Sequence, residues 1–94
     1  MFKVWGRIVK NHKYTEEYTA CVDDDTLNRT RKVYKALEII CNELNLAVPI
    51  WLPLNKKDFI KNSRTKFTQD SFVEEIDFDY LDFQVIDEGD GFVK

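Results

Sequence analysis

The chain has 94 residues, 44% of them hydrophobic and 14% aromatic, with a formal net charge of −3 at pH 7. This length fits one domain, and the hydrophobic content excludes a wholly disordered chain. The net negative charge argues against direct nucleic-acid binding, because an acidic surface repels phosphates.

The N-terminal stretch MFKVWGRIVK lacks the apolar core and the small-residue cleavage site of a signal peptide. No window approaches the roughly 18 consecutive apolar residues of a membrane span. We therefore expect a cytoplasmic protein without membrane contact, in which Cys21 and Cys41 are reduced thiols. These widely spaced cysteines, with His12 as the one histidine of the sequence, do not fit a zinc site.

Alternating apolar and polar residues predict two strands near the N-terminus, over 2–10 and 14–22. Asn11 and His12 lie between them, and both residue types tolerate the positive φ that a two-residue hairpin turn requires. The sequence therefore predicts an antiparallel hairpin. Its first strand directs Phe2, Val4, Gly6 and Ile8 to one face and Lys3, Trp5, Arg7 and Val9 to the other.

A long helix is predicted over 26–44, where apolar residues recur at three- and four-residue steps. Asp25 or Thr26 is expected to cap its start, and Asn45 to mark its end. The apolar stripe comprises Leu27, Val33, Leu37, Ile40, Cys41 and Leu44. The basic residues opposite this stripe, which we interpret as a solvated surface, are Arg31, Lys32 and Lys35, with Arg29 nearby.

The apolar segment LAVPIWLPL, residues 46–54, is bracketed by two prolines and is too short for a helix, so we predict an extended segment lying on the core. A shorter helix follows over 55–62, with Asn55 as its cap and with Phe59 and Ile60 facing inward. A short extended piece around 64–68 and a turn at 69–71 are expected next.

From Glu74 to Asp90, acidic and apolar residues interleave. The apolar residues change parity between Tyr80 and Leu81, and a flat strand cannot keep one apolar face across such a slip. We predict a loop or short helical turn through 71–80, where Ser71 and Glu74 fit a capping box. A strand is predicted over 81–87. Its core-facing residues are Leu81, Phe83 and Val85, and its solvent-facing residues are Asp82 and Gln84.

These elements together predict an α+β fold in which 1–94 forms one globular domain with a flexible tail at 88–94. The sheet is expected to have three mainly antiparallel strands, the N-terminal hairpin plus a C-terminal strand, packed by the long helix and the shorter second helix. Trp5, Val9, Cys21 and Ile86 are placed on the sheet face opposite the long helix.

The sequence is compatible with two arrangements at that second sheet face. Either residues 46–60 fold over it, or it meets another copy of the chain. An exposed apolar patch that contains tryptophan is typical of an interface. Trp5, Val9 and Trp51 are therefore candidate partner-binding residues.

Charge divides the second half of the chain into a basic block at 55–69 and an acidic block that follows it directly. The acids of the second block, which contains no Lys or Arg up to residue 93, are Asp70, Glu74, Glu75, Asp77, Asp79, Asp82, Asp87, Glu88 and Asp90. We interpret them chiefly as solvated or paired with the basic block. A second interpretation is a site for Mg²⁺ or Ca²⁺ built from Asp77, Asp79 and Asp82, although the glycine and closing glutamate of an EF-hand loop are missing.

The sequence contains no phosphate-binding glycine loop and no evident nucleophile–histidine set, so we expect neither an enzyme nor a bound cofactor. The leading hypothesis is a small non-catalytic interaction or structural domain, working as a monomer or a homodimer. One alternative is an acidic inhibitor or nucleic-acid mimic that docks on a basic partner through residues 70–90, with Glu74 and Glu75 as candidate contacts. The other is a divalent-metal protein that uses the Asp77, Asp79 and Asp82 cluster.

Overall fold

A computed structural model of the chain describes residues 2–88, which include only the first residue of the expected C-terminal tail. In chain order its elements are β1 (Phe2–Lys10), β2 (Lys13–Val22), α1 (Arg29–Glu43), α2 (Pro53–Asn62), β3 (Arg64–Phe67), a 3₁₀ turn (Gln69–Ser71) and β4 (Tyr80–Asp87). Within these residues the strands form one four-stranded antiparallel sheet in the order β2-β1-β4-β3. The α+β class is confirmed, but the expectation of three strands is wrong.

The extra strand is β3, which lies at the sheet edge and pairs with β4 through Arg64–Gln84 to Phe67–Leu81. The extended piece expected around 64–68 is therefore part of the sheet. The hairpin of β1 and β2 is as predicted, with positive φ angles of 54° at Asn11 and 66° at His12.

Helix α1 begins at Arg29, later than predicted, because Asn28 rather than Asp25 or Thr26 is its N-cap. The Asn28 side chain accepts the backbone N–H of Arg31 at 2.9 Å. The backbone N–H and hydroxyl of Thr26 instead donate to the carboxylate of Asp24, at 3.0 and 2.6 Å, and close a turn before the helix. The central stripe is confirmed, and the buried residues of α1 are Val33, Ala36, Leu37, Ile40 and Cys41.

Helix α2 begins at Pro53, a residue that favours the first helical position because its missing N–H is not needed there. Asn55 therefore lies inside the helix, where its Oδ1 accepts the backbone N–H of Leu52 at 3.0 Å and the hydroxyl of Ser71 at 3.1 Å. Its Nδ2 donates to the hydroxyl of Thr65 at 3.0 Å and thereby ties α2 to β3. This buried asparagine sets how α2 is rotated against the sheet.

The loop between the 3₁₀ turn and β4 is organised by Gln69 rather than by the expected capping box of Ser71 and Glu74. The Gln69 amide donates to the carbonyl of Glu74 at 2.8 Å and accepts the backbone N–H of Ile76 at 2.8 Å. Ser71 is buried and donates to Asn55, so its hydroxyl is not available to cap a helical turn.

Both helices lie on the same face of the sheet, with α1 packed on β1 and β2 and α2 packed on β3. Trp51, from the segment between the helices, packs into the same core, with ring centroids 5.0 Å from Phe67 and 6.0 Å from Phe83. Residues 46–60 therefore do not cover the second sheet face, and that alternative is wrong.

Candidate functional site

The sheet face opposite the helices carries charges of alternating sign among its apolar residues. In register across β2, β1, β4 and β3, one row consists of Glu17, Arg7, Asp82 and Lys66. The Arg7 guanidinium also lies 3.4 Å from the ring centroid of Trp5 and 3.8 Å from that of Tyr14. Opposite charges and cation–π pairs across neighbouring strands stabilise a sheet, so this face satisfies its own polar groups.

The two candidate partner contacts on that face differ in their access to solvent. Val9 is buried, and in the register its neighbours are Tyr14 and Tyr80. Trp5 is half-buried, stacks on Arg7 and donates its indole N–H to Glu17 at 3.0 Å. Val9 is therefore closed to a partner, while one part of Trp5 stays accessible.

Asp82 lies on this same face but is only 3% exposed, so the expectation that it is solvated is wrong. Arg64 donates to its carboxylate through Nε at 3.1 Å and Nη2 at 2.9 Å, and Arg7 donates at 3.4 Å. The hydrogen bond and charge of Asp82 raise the pKa of the Arg64 guanidinium. A carboxylate held in this way is a structural link between β4 and β3.

The three acids proposed as metal ligands are not brought together. Asp77 and Asp79 are exposed in the loop before β4, while Asp82 is held by the two arginines. In the described part of the chain, no group of three or more His, Cys, Asp or Glu side chains is placed to hold a metal ion. Glu74 and Glu75 line a separate cleft of about 410 Å³ beside residues 45–47.

A groove of about 220 Å³ opens between α1 and α2, because the two helices cover opposite halves of the sheet. Its lining is mostly apolar and consists of Arg29, Thr30, Val33, Tyr34, Trp51, Lys56, Phe59 and Ile60. The ring centroid of Trp51 lies 5.9 Å from that of Tyr34 and 5.4 Å from that of Phe59, so the three aromatic rings form one continuous surface. Such a concave apolar site with a few polar groups is the usual form of a binding site.

The rim of this α1–α2 groove combines exposed apolar side chains with cations. Ile60 is 86% exposed, so the expectation that it faces inward is wrong, and Tyr34 is also exposed. Arg29 lies at one end, with its guanidinium 5.6 Å from the ring centroid of Phe59. It donates to the Glu88 carboxylate at 2.8 and 3.3 Å and to the Ser63 hydroxyl at 3.0 Å.

The helical layer is basic although the whole chain is acidic. The cations of α1 and α2 are Arg29, Arg31, Lys32, Lys35, Lys56, Lys57 and Lys61, against Glu38, Glu43 and Asp58. Because the chain carries a net −3, the excess negative charge lies in the strands, loops and termini. Two of these cations, Arg29 and Lys56, line the groove.

The two cysteines have different surroundings, since Cys21 is exposed on β2 and Cys41 is buried in α1. Burial raises the pKa of the Cys41 thiol to about 12, so this thiol stays protonated and inert at neutral pH. Among the described residues, no helix combines the length and the hydropathy that crossing a bilayer requires.

Of the residues that line the groove, sequence reasoning singled out only Trp51 as a partner contact. Tyr34 lies outside the apolar stripe of α1, and this departure from the pattern is the one local signal of an exposed aromatic ring. Arg29, Lys56 and Ile60 gave no such signal, because their role depends on how the helices pack. Comparisons of the chain with protein-family models, curated proteins and solved structures found no significant match.

Proposed function

We propose that the protein is a small non-catalytic interaction domain that binds a protein partner in the α1–α2 groove. The observation that carries this proposal is the groove itself, in which an aromatic floor of Trp51 and Phe59 opens beside the almost fully exposed Ile60. Aromatic and large aliphatic side chains in a concave site are typical of the central residues of protein interfaces.

Charge and size define the kind of partner that the groove fits. A volume of about 220 Å³ is below the ~300–1,000 Å³ of pockets for drug-sized ligands, and it suits a single apolar side chain of a larger partner. Arg29 and Lys56 in the lining favour a partner whose residues near that side chain are acidic. A protein segment with an apolar anchor between acidic residues meets both requirements.

Site-specific photocrosslinking in cells tests this proposal. A photoreactive benzoylphenylalanine replaces Ile60 on the groove rim, or Ile86 on the opposite sheet face as a matched control, since both side chains are exposed. We expect a discrete cross-linked product from position 60 and none from position 86, with the partner identified by mass spectrometry. A second copy of the chain in that product would make the groove a homodimer contact.

Two results would contradict the proposal. The first is the absence of any product from position 60. The second is a product from position 86 alone, which would move the interface to the charged sheet face around Arg7 and Asp82.

A further inference from the structure

We infer that the α1–α2 groove selects an acidic segment, whose carboxylate binds Arg29 in the position that Glu88 occupies in the free protein. The inference rests on the proposed function and adds Arg29 as the residue that binds the partner's carboxylate. It also gives Glu88 a role, as an internal carboxylate that the partner displaces.

The first support is the geometry at the end of the groove. Arg29 binds Glu88 through two nitrogens, at 2.8 and 3.3 Å, which is the bidentate arrangement that guanidinium and carboxylate groups favour. Ser63 and Phe59 hold the guanidinium from two other sides, at 3.0 Å from the hydroxyl and 5.6 Å from the ring centroid. Arg29 is therefore already oriented to receive a carboxylate beside the apolar floor.

The second support is that another carboxylate can replace Glu88 in its ion pair with Arg29. The side chains of Arg29 and Glu88 are 44% and 22% exposed, and ion pairs of this exposure contribute little to stability. A carboxylate supplied by a partner can therefore replace Glu88 with little loss of folding free energy. The replacement keeps Arg29 paired and requires the released Glu88 carboxylate to turn to solvent.

The third support is the charge of the helical layer, in which seven cations of α1 and α2 outnumber three acids. Such a surface accelerates the approach of acidic segments and disfavours basic ones. Lys56 of α2 also lines the groove, so a second cation is available to an acid of the partner. The expected partner motif is one large apolar residue flanked by aspartate or glutamate.

Panning of a phage-displayed library of random dodecapeptides on the whole domain tests this inference. We expect enriched peptides in which a leucine, isoleucine or phenylalanine is flanked by acidic residues. For the best of these peptides, Arg29→Gln should weaken binding several-fold, and Arg29→Lys should weaken it less, because lysine keeps the charge but loses the bidentate geometry. Glu88→Gln should strengthen binding several-fold, because it removes the internal competitor.

Arg31→Gln is the matched control, since it removes the same charge from α1 at a residue outside the groove lining. It should change affinity less than twofold, and circular dichroism should show that all variants keep the fold. Enriched peptides that lack acids, or that bind Arg29→Gln as well as the unchanged domain, would overturn the inference but leave the proposed function intact.

A negative panning result is also decisive. A library without enriched sequences, together with no cross-link from position 60, would overturn both proposals. Binding to phosphatidylserine vesicles that is lost in Ile60→Gln, without enriched peptides, would assign the groove to an anionic membrane surface and overturn the acidic-segment inference.

Discussion

Gly6 of β1 lies so close to Ile40 of α1 that a β-carbon at Gly6 would be 2.5 Å from Cγ2 of Ile40. Ile40 is fully buried, and its β-branched side chain has little rotamer freedom in a helix. The absence of a side chain at position 6 therefore allows α1 to approach the sheet at this point.

Replacing Gly6 with alanine should destabilise the domain. The added methyl group overpacks the core, at a cost of about 1–3 kcal/mol. The gain of about 0.5–1 kcal/mol from replacing a strand glycine with alanine is smaller, so the clash decides the sign. Urea denaturation should show the loss as a lower midpoint.

The matched test for this packing contact is the Gly6→Ala, Ile40→Ala double variant. Ile40→Ala removes the atom that clashes, so the double variant should be more stable than the sum of the two single losses indicates. Additive losses would show that the effect of Gly6→Ala has another cause.

The hairpin strands and the core face of α1 are predicted correctly from the sequence, because local periodicity is enough to identify them. Gly6 was placed on the same face as Val4 and Ile8, and Leu37 at the centre of the α1 stripe, because each assignment needs only neighbouring residues. The extended piece around 64–68 is predicted but its place in the sheet is not, since Arg64–Phe67 is too short for a pattern and its pairing partner lies in β4. Short edge strands depend on a distant partner, which sequence periodicity does not contain.

The α1–α2 groove could not be predicted from the sequence, because it also depends on contacts between distant residues. The sequence pattern placed both Phe59 and Ile60 inward, but the rotation of α2 is set by Asn55, whose hydrogen bonds reach Thr65 and Ser71. With that rotation Phe59 enters the core and Ile60 faces solvent. A binding surface formed by the relative position of two helices becomes visible only with their packing.

The raised pKa of Cys41 predicts a loss of stability at alkaline pH. The folded state holds the thiol proton up to a pKa of about 12, whereas the ordinary pKa of an exposed cysteine thiol is 9.0. Stability from this group is therefore fully present below pH 9 and declines as pH rises toward 12, by roughly 4 kcal/mol at most. Urea denaturation between pH 7 and 11 should show the decline.

Variants of the two cysteines separate this effect from other alkaline titrations. Cys41→Ala should be less stable at pH 7 but should lose less on going to high pH than the unchanged protein does. Cys21→Ala, at an exposed cysteine, should keep the original pH dependence. Parallel curves for all three proteins would contradict a buried, protonated Cys41.

Ile60→Gln should weaken peptide binding without changing the stability of the fold. Ile60 is 86% exposed, so its replacement should change the free energy of unfolding by less than about 0.5 kcal/mol. The affinity for peptides selected on the unchanged domain should nevertheless fall at least tenfold in fluorescence anisotropy, because the apolar rim is lost. Ile86→Gln on the opposite sheet face should leave the affinity unchanged, and equal losses of affinity in the two variants would argue against the groove.

The acidic block and the basic block meet at Asp82, whose carboxylate lies 2.9 Å from Nη2 of Arg64. Asp77 and Asp79 form no ion pair with the described residues, although the sequence suggested that all three acids offset the basic block. Coupling between the blocks should therefore depend on Asp82 rather than on Asp77 and Asp79. Asp82→Asn should lower the free energy of unfolding by about 1.5–3 kcal/mol, since hydrogen bonds to charged groups have this strength.

The Asp77→Asn, Asp79→Asn double variant is the control, and thermal melts at low and at 1 M salt compare the two proteins. The control should change the free energy of unfolding by no more than about 0.5 kcal/mol, because both side chains are exposed. The Asp82→Asn loss should persist at high salt, because a buried pair is screened much less than an exposed one. A loss that disappears at 1 M salt would place Asp82 among the solvated acids, and a control that melts higher at low salt would show that Asp77 and Asp79 repel neighbouring acids.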